Sequence, residues 1–343
     1  MRNGSLRTSG RIARYAVIAA VVAGTAAASG VASARESRAA SAPPQPSKAL
    51  CHGKQFTIGY DVFSSTQPFA NLVTKGLKDA AAKTGCVKVI TTVDNSNGPT
   101  AVGNVKTMLN EGANAIIDFN ILAAFQPAIA AQLKNAHVPG DAIIGATLKG
   151  YPAVGASNYG AAVIDGQALA QAGKHKFKNT LPYLVVAAEP SAGPIIMQRY
   201  YGVVAGAKKV YGKLPSSHII EVTSDGSEAG TYNNAVSAFS KIPSGAPVLT
   251  TGVNDEVTHG MYRAAVARHL NVLVNSFGGD PFGLGQVCAN RSQYAGALYL
   301  EPEQWGASAL AVVMRMADHM SFPKNVGIAG EEVTAHSSLT GCK

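Results

Sequence analysis

The chain predicts an α/β protein built as two parallel-sheet lobes, and three observations carry that expectation. Short apolar, β-branched runs alternate with longer segments whose apolar residues recur at helical spacing, which is the order of βαβ units. The alternation runs once from Phe56 to Ser157 and then restarts, giving two successive halves of similar length. Polar loops follow the strands in both halves, where open parallel sheets bind ligands.

The opening unit shows the logic. Phe56–Val62 is an apolar run of strand character, followed by the polar loop Ser64-Ser65-Thr66-Gln67. Pro68 then opens a helix in which Leu72, Val73, Leu77, Ala80 and Ala81 share one face. Proline costs no hydrogen bond in a first helical turn. A polar loop ending in Phe69 fits half of a small-molecule cleft, and it equally fits an ordinary strand-to-helix connection.

The first half continues with a strand over 87–93, the loop Asp94–Pro99 and a helix over 102–109. A strand over 115–119, a helix over 127–136, a strand over 142–146 and a short strand over 153–157 complete it. The second half reads helix 163–172, strand 183–188, helix 195–209, strand 219–223 and helix 231–239. Strand 248–253, helix 257–269 and strand 272–277 follow, then the loop Gly278-Gly279-Asp280-Pro281 and a short helix to Val287. Strand 294–300, a long helix 302–320 and one extended segment 326–335 close the chain.

Composition bounds the function. With 343 residues, 47% hydrophobic and 14% charged, the chain is long enough for two well-packed domains. The formal charge is +9, but Arg2, Arg7, Arg11 and Arg14 lie in the first 34 residues with no acid, so setting those four aside leaves +5. No later Lys/Arg cluster appears, and one Trp with 7% aromatics offers no stacking surface, so nucleic acid is not an expected partner.

Residues 1–34 read as a secretory signal: arginines, an apolar stretch from Tyr15 to about Ala28, then Ala32-Ser33-Ala34. An uncleaved anchor is the alternative. Residues 35–53 read as a flexible linker rich in Ala, Ser and Pro. No adjacent arginine pair points to twin-arginine export, and Cys51 lies too far from the apolar stretch for a lipid-anchored cysteine. The expected location is outside the cytoplasmic membrane, periplasmic or cell-surface.

Export makes disulfides possible. Cys51, Cys86, Cys288 and Cys342 allow three pairings, and no spacing suggests zinc. Cys51 precedes the first strand and Cys86 the second, and adjacent parallel strands start at one edge. That geometry suits Cys51–Cys86 and leaves Cys288–Cys342, with four free thiols as the alternative.

The arrangement resembles the type I periplasmic binding proteins, the ribose-binding-protein-like solute receptors of ABC importers. The resemblance spans about Lys54 to Ala335 and rests on the order of several short motifs: Gln67-Pro68-Phe69, Asn95-Ser96-Asn97, Asn104-Val105-Lys106, the run Asn110–Ile117, Asn254-Asp255-Glu256 and Glu301–Gly306. It implies two Rossmann-like, doubly wound lobes joined by a hinge, with three crossovers near Ser157, Leu300 and Ile328. One lobe is then 54–157 plus 301–328, the other 158–300 plus 329–343, and each disulfide lies within one lobe.

The resemblance also implies a ligand set. Gln67 and Phe69 match the first-loop polar and stacking residues, and Phe119 stands where the family has a polar residue. Arg199 matches an arginine that binds hydroxyls or acidic groups through its fork of donors. Asn254 matches a cleft asparagine able to donate and accept, and Phe277 a cleft aromatic. The family's aspartate after that phenylalanine is Gly278 here, with Asp280 two residues on; its late glutamine is Leu300; its Asp-Arg pair is replaced by Ala146-Thr147-Leu148-Lys149. The hydroxyl-reading set is thinner than in a pentose binder, which leaves room for a less polar or a carboxylate metabolite. Each residue also has a structural reading: Arg199 as a surface helix residue, Phe69 and Phe277 as core, Asn254 as a helix cap with acids complementing the dipole.

Enzyme signatures are missing: no Gly-x-Ser-x-Gly elbow, P-loop or His-Glu-x-x-His motif occurs. The eight histidines (His52, His137, His175, His218, His259, His269, His319, His336) read as surface residues, and Asp118 and Asp165 as isolated acceptors. No cofactor or metal is expected. The expected function is capture of a small polar solute, a sugar first, by hinge closure between the lobes for a membrane permease of an ABC importer. A ligand-presenting sensor subunit and an exported enzyme on the same scaffold are the alternatives.

Overall fold

Strands form where β-branched and aliphatic runs can be buried on both faces, as helix-covered parallel sheets require. The computed structural model describes residues 43–144, 148–178 and 180–342. The expected signal segment 1–34, linker residues 35–42 and Ala146 lie outside the described residues.

The first half runs β1 (Phe56–Val62), α1 (Pro68–Thr84), β2 (Val87–Val93), α2 (Gly98–Asn110), β3 (Ala115–Phe119), α3 (Gln126–Ala136), β4 (Gly140–Ile143) and β5 (Ala153–Gly155). The second runs α4 (Asn158–Lys176), β6 (Tyr183–Ala188), α5 (Pro194–Tyr211), β7 (Ile219–Thr223), α6 (Glu228–Phe239), β8 (Pro247–Thr251), α7 (Asp255–Ala267), β9 (Asn271–Gly278), α8 (Pro281–Ala289) and β10 (Tyr294–Tyr299). The chain ends with α9 (Pro302–Ala317), β11 (Asn325–Gly327) and β12 (Glu331–Val333).

Two six-stranded sheets result, in the orders β11-β5-β4-β3-β1-β2 and β12-β10-β9-β8-β6-β7. All pairings are parallel except β10 with β12. In each sheet the strand order reverses at one place: between β1 and β3 in the first, between β6 and β8 in the second. Ligands bind outside the carboxyl ends of strands at such a switch point.

The chain passes between the sheets at Gly155–Asn158, at Tyr299–Pro302 and at Gly327–Glu331. The final segment therefore departs from the single extended run expected over 326–335. It splits into two three-residue strands that join different sheets, because Val326 and Ile328 bury on the first side and Val333 on the second. The fourth strand begins two residues earlier than expected, at Gly140. The last part of the expected flexible linker is tied down: Lys48–Cys51 forms a 3-10 turn and Cys51 is bonded to Cys86. Strand-edge geometry suited that first pairing, and the pair it left over, Cys288 and Cys342, is bonded as well.

Three apolar clusters fill the molecule. One packs α2 and α3 on the first sheet, and another packs α6, α7 and α8 on the second. The largest runs without a break from the α1/α9 face of the first sheet to the α4/α5 face of the second. Trp305 marks its midpoint: fully buried, it donates from Nε1 to the Leu300 carbonyl at 2.7 Å and lies against Gly155, whose φ is +131° and whose missing Cβ would sit 2.9 Å from the indole. Two of the three crossovers are thus pinned by one side chain.

Candidate functional site

The loops at the two switch points face each other across a cavity of about 540 Å³. From the first sheet come Phe63 to Phe69 after β1, and Phe119 with Ile121 at the end of β3. From the second come Glu189 after β6, Val253 to Glu256 after β8, and Phe277 to Asp280 at the end of β9. Arg199 of α5, the loop residues Asp225 to Ser227 and Glu228 at the start of α6 complete the second side. All seven residues singled out from the sequence (Gln67, Phe69, Phe119, Arg199, Asn254, Phe277 and Asp280) line this one cavity.

Their neighbours determine what each can still offer. Gln67 stands at the N-terminus of α1, but its side chain caps nothing and makes no hydrogen bond among the described residues. Phe69 meets Trp305 edge-on at 5.1 Å, and Phe119 meets Phe63 edge-on at 4.9 Å. Both phenylalanines are therefore anchored in the core while lining the cavity. Arg199 is buried, not a surface helix residue. Its Nε donates to Asn158 Oδ1 at 2.7 Å, its Nη1 to the Val253 carbonyl, and its guanidinium lies 4.9 Å from the Phe277 ring centroid. Two of its five N–H groups are thus bound within the protein.

Asn254 is the N-cap of α7. Its Oδ1 accepts from the Val257 amide at 2.7 Å and its Nδ2 donates to the Gly226 carbonyl at 3.1 Å, leaving one N–H. Asp280 caps α8 in the same way, accepting from the Gly283 amide at 2.9 Å; its other oxygen is buried without a partner. Burial raises the pKa of Asp280, against the backbone amides of Gly283, Phe282 and, across the cleft, Phe69.

The electrostatics are lopsided. Six carboxylates (Glu189, Asp225, Glu228, Asp255, Glu256, Asp280) line the cavity with one cation, Arg199. Burial pushes Glu189 up to about 7, with the Arg199 charge opposing. Burial pushes Glu256 up to about 7 as well, and the Asp280 charge adds to it. Burial brings Arg199 down to about 10, against the pull of Glu189 and Asp255. Glu228 is paired with Arg263 at 2.7 Å, and Asp255 accepts from Ser276 Oγ and from the Asp280 amide. Below the first rim, outside the cavity lining, Asp61 is pushed up to about 7 by burial; it accepts from Thr92 at 2.7 Å and Asn104 at 2.8 Å.

Sequence reasoning does not single out Asp225 or Glu228, and it reads Asp255 and Glu256 only as dipole partners of a helix. The one available signal was position: each follows a strand end, beside a polar loop. Two further expectations need correcting. Asp118 and Asp165 are not isolated, because Asp118 accepts from Gln126 at 2.6 Å and Asp165 from Asn275 at 2.7 Å. His259 is not a surface residue: it is half-buried against Tyr262, Phe282 and Tyr294, and burial lowers its pKa.

Among the described residues no cluster of His, Cys, Asp or Glu is arranged to hold a metal ion, and no helix is long and apolar enough to cross a membrane.

Comparison with known proteins gives three findings. Residues 58–320 match the periplasmic binding protein domain. No curated protein matches the chain in sequence. Several solved structures share the fold at low identity. A Caulobacter myo-inositol binding protein bound to myo-inositol superposes with a TM-score of 0.69 at 20% identity, covering 85% of this chain and 97% of its own. An ABC transporter solute binding protein from Mycobacterium smegmatis with bound glycerol gives 0.69 at 15%, covering 82% and 94%. The transcription regulator CcpA of Lactococcus lactis gives 0.66 at 14%, covering 82% and 98%.

Proposed function

The chain belongs to the periplasmic binding protein family, and we propose that it captures one small, hydroxyl-rich solute between its two lobes without altering it chemically. The observation that carries this is the cavity itself. Its volume, about 540 Å³, falls in the range of roughly 300–1,000 Å³ usual for small-molecule sites. Its walls combine aromatic faces at Phe69, Phe119 and Phe277 with hydrogen-bonding groups at Gln67, Arg199, Asn254 and Glu189. Aromatic faces pack against the C–H faces of a sugar or cyclitol ring while the polar groups serve its hydroxyls. A carboxylate metabolite fits this lining poorly, since six acids would face it.

In this reading the lobes are 54–157 plus 301–328 and 158–300 plus 329–343, and they rotate about the three crossovers. Solute held by both rims favours the closed arrangement, because only there do both halves contact it at once. The leader over 1–34 would direct the chain out of the cytoplasm, and the closed face would be read by the membrane permease of an ABC importer. The solved myo-inositol binding protein supports the choice of a sugar or polyol. The fold alone does not make that choice, since a transcription regulator shares it.

Isothermal titration of the purified chain with neutral hexoses, pentoses, inositols and their amino derivatives tests the proposal. The expected result is one-to-one binding of at least one of these. Gln67→Ala and Phe69→Ala should each weaken it tenfold or more. Absence of binding across the panel, or affinity unchanged in both variants, refutes it.

A further inference from the structure

The charges lining the cavity do not balance, and the imbalance is local. Glu228 is answered by Arg263 at 2.7 Å, with His259 at 4.0 Å. Asp225 is exposed and bonded to Ser227. Glu189 and Asp255 both draw on the single charge of Arg199. That leaves Glu256 and Asp280, which have no cation among the described residues. Both oxygens of Glu256 and Oδ2 of Asp280 are buried without a hydrogen-bond partner, and Asp280 as a residue is 0% exposed. Both side chains line the cavity.

A buried carboxylate without a counter-ion is costly, and backbone amides such as those at Asp280 bring no full charge to offset it. Two that adjoin one cavity define what would relieve them: a compact cation with several donors. A hydroxyl brings one donor and no charge, whereas an ammonium brings three donors and a full charge. The rest of the cavity, with Phe69, Phe119 and Phe277 as walls, suits a ring.

We infer that the solute carries a protonated amine on a hydroxylated ring, as an amino sugar or aminocyclitol does, and that Glu256 and Asp280 receive the amine. The inference rests on the solute-capture reading and narrows it to a cationic ligand.

Matched pairs test it by titration calorimetry: D-glucosamine with D-glucose, D-galactosamine with D-galactose, and scyllo-inosamine with scyllo-inositol. N-acetyl-D-glucosamine serves as the blocked-amine control. In at least one pair the amine should bind tenfold or more tighter than its neutral partner. That preference should shrink to threefold or less in Glu256→Gln and in Asp280→Asn. Asparagine keeps the cap of α8, and melting curves check that both variants fold. Equal or weaker binding of every amine overturns the inference, as does a preference that survives both substitutions. Neutral sugars bound without amine preference leave solute capture standing and remove only the amine. A panel in which nothing binds removes both.

Discussion

Glu256→Gln gives the sharpest test of the electrostatics. In the folded, ligand-free protein the Glu256 carboxyl is pushed from an ordinary 4.5 up to about 7, first by burial and then by the Asp280 charge. A carboxyl whose folded pKa is raised binds protons more tightly in the native state than in the unfolded one. Below pH 4.5 both states are protonated and no penalty exists. As pH rises toward 7 the native state must ionise a buried group, and stability is lost. A shift of this size corresponds to about 3 kcal/mol once pH exceeds 7. Glutamine keeps the shape and cannot ionise, so the variant should be about 2–3 kcal/mol more stable than the parent at pH 8 and nearly equal to it at pH 4.5. Urea unfolding at the two pH values, on protein stripped of bound solute by unfolding and refolding, measures the difference. A variant less stable than the parent at pH 8, or equally displaced at both pH values, would show that Glu256 is solvated or already paired.

Two other perturbations follow from contacts described above. Arg199→Met removes the donor to Asn158 and Val253 and leaves Glu189 and Asp255 facing no cation, so unfolding free energy should fall by about 3–5 kcal/mol. Arg199→Lys keeps the charge but not the fork and should lose less; a Met variant within ~1 kcal/mol of the parent would contradict the burial of this group. Replacing Cys288 and Cys342 together by serine opens a loop spanning 54 residues, and replacing Cys51 and Cys86 opens one spanning 35. Each loop closure restricts the unfolded chain by about 4 kcal/mol in the entropic account, so each double variant should lower the urea midpoint clearly, the longer loop slightly more.

Most of the fold was legible because period and length carry it. The run Phe56–Val62 and the face Leu72, Val73, Leu77 and Ala80 each permit one regular structure, and both halves repeat that grammar. The crossing at Gly327–Glu331 is not legible in the residue pattern itself; only the family resemblance put a crossover near Ile328. Extended residues on either side look alike in sequence, and only the choice of sheet partner separates Val326 from Val333. The cavity lining divides in the same way. Gln67, Phe69 and Asn254 follow strand ends, and that position alone takes them to the rim. Asp225 sits in a loop and Glu228 in the first turn of α6, where a charge ordinarily means contact with water, and their place at the cavity depends on how α6 is set against the neighbouring loops. Nor does any local pattern reveal that Glu256 lacks a partner, because that follows from what does not surround it in three dimensions.

Trp305 is the chain's one tryptophan, and its place between Gly155, the Leu300 carbonyl and the Phe69 ring gives it a use beyond packing. In the proposed rotation Gly155 and Phe69 travel with Trp305, and the Leu300 carbonyl at the second crossover is the contact that the motion works on. As the one indole, buried at that crossover, it supplies an optical gauge for the proposed closure: its emission would shift red wherever the motion admits water to the ring.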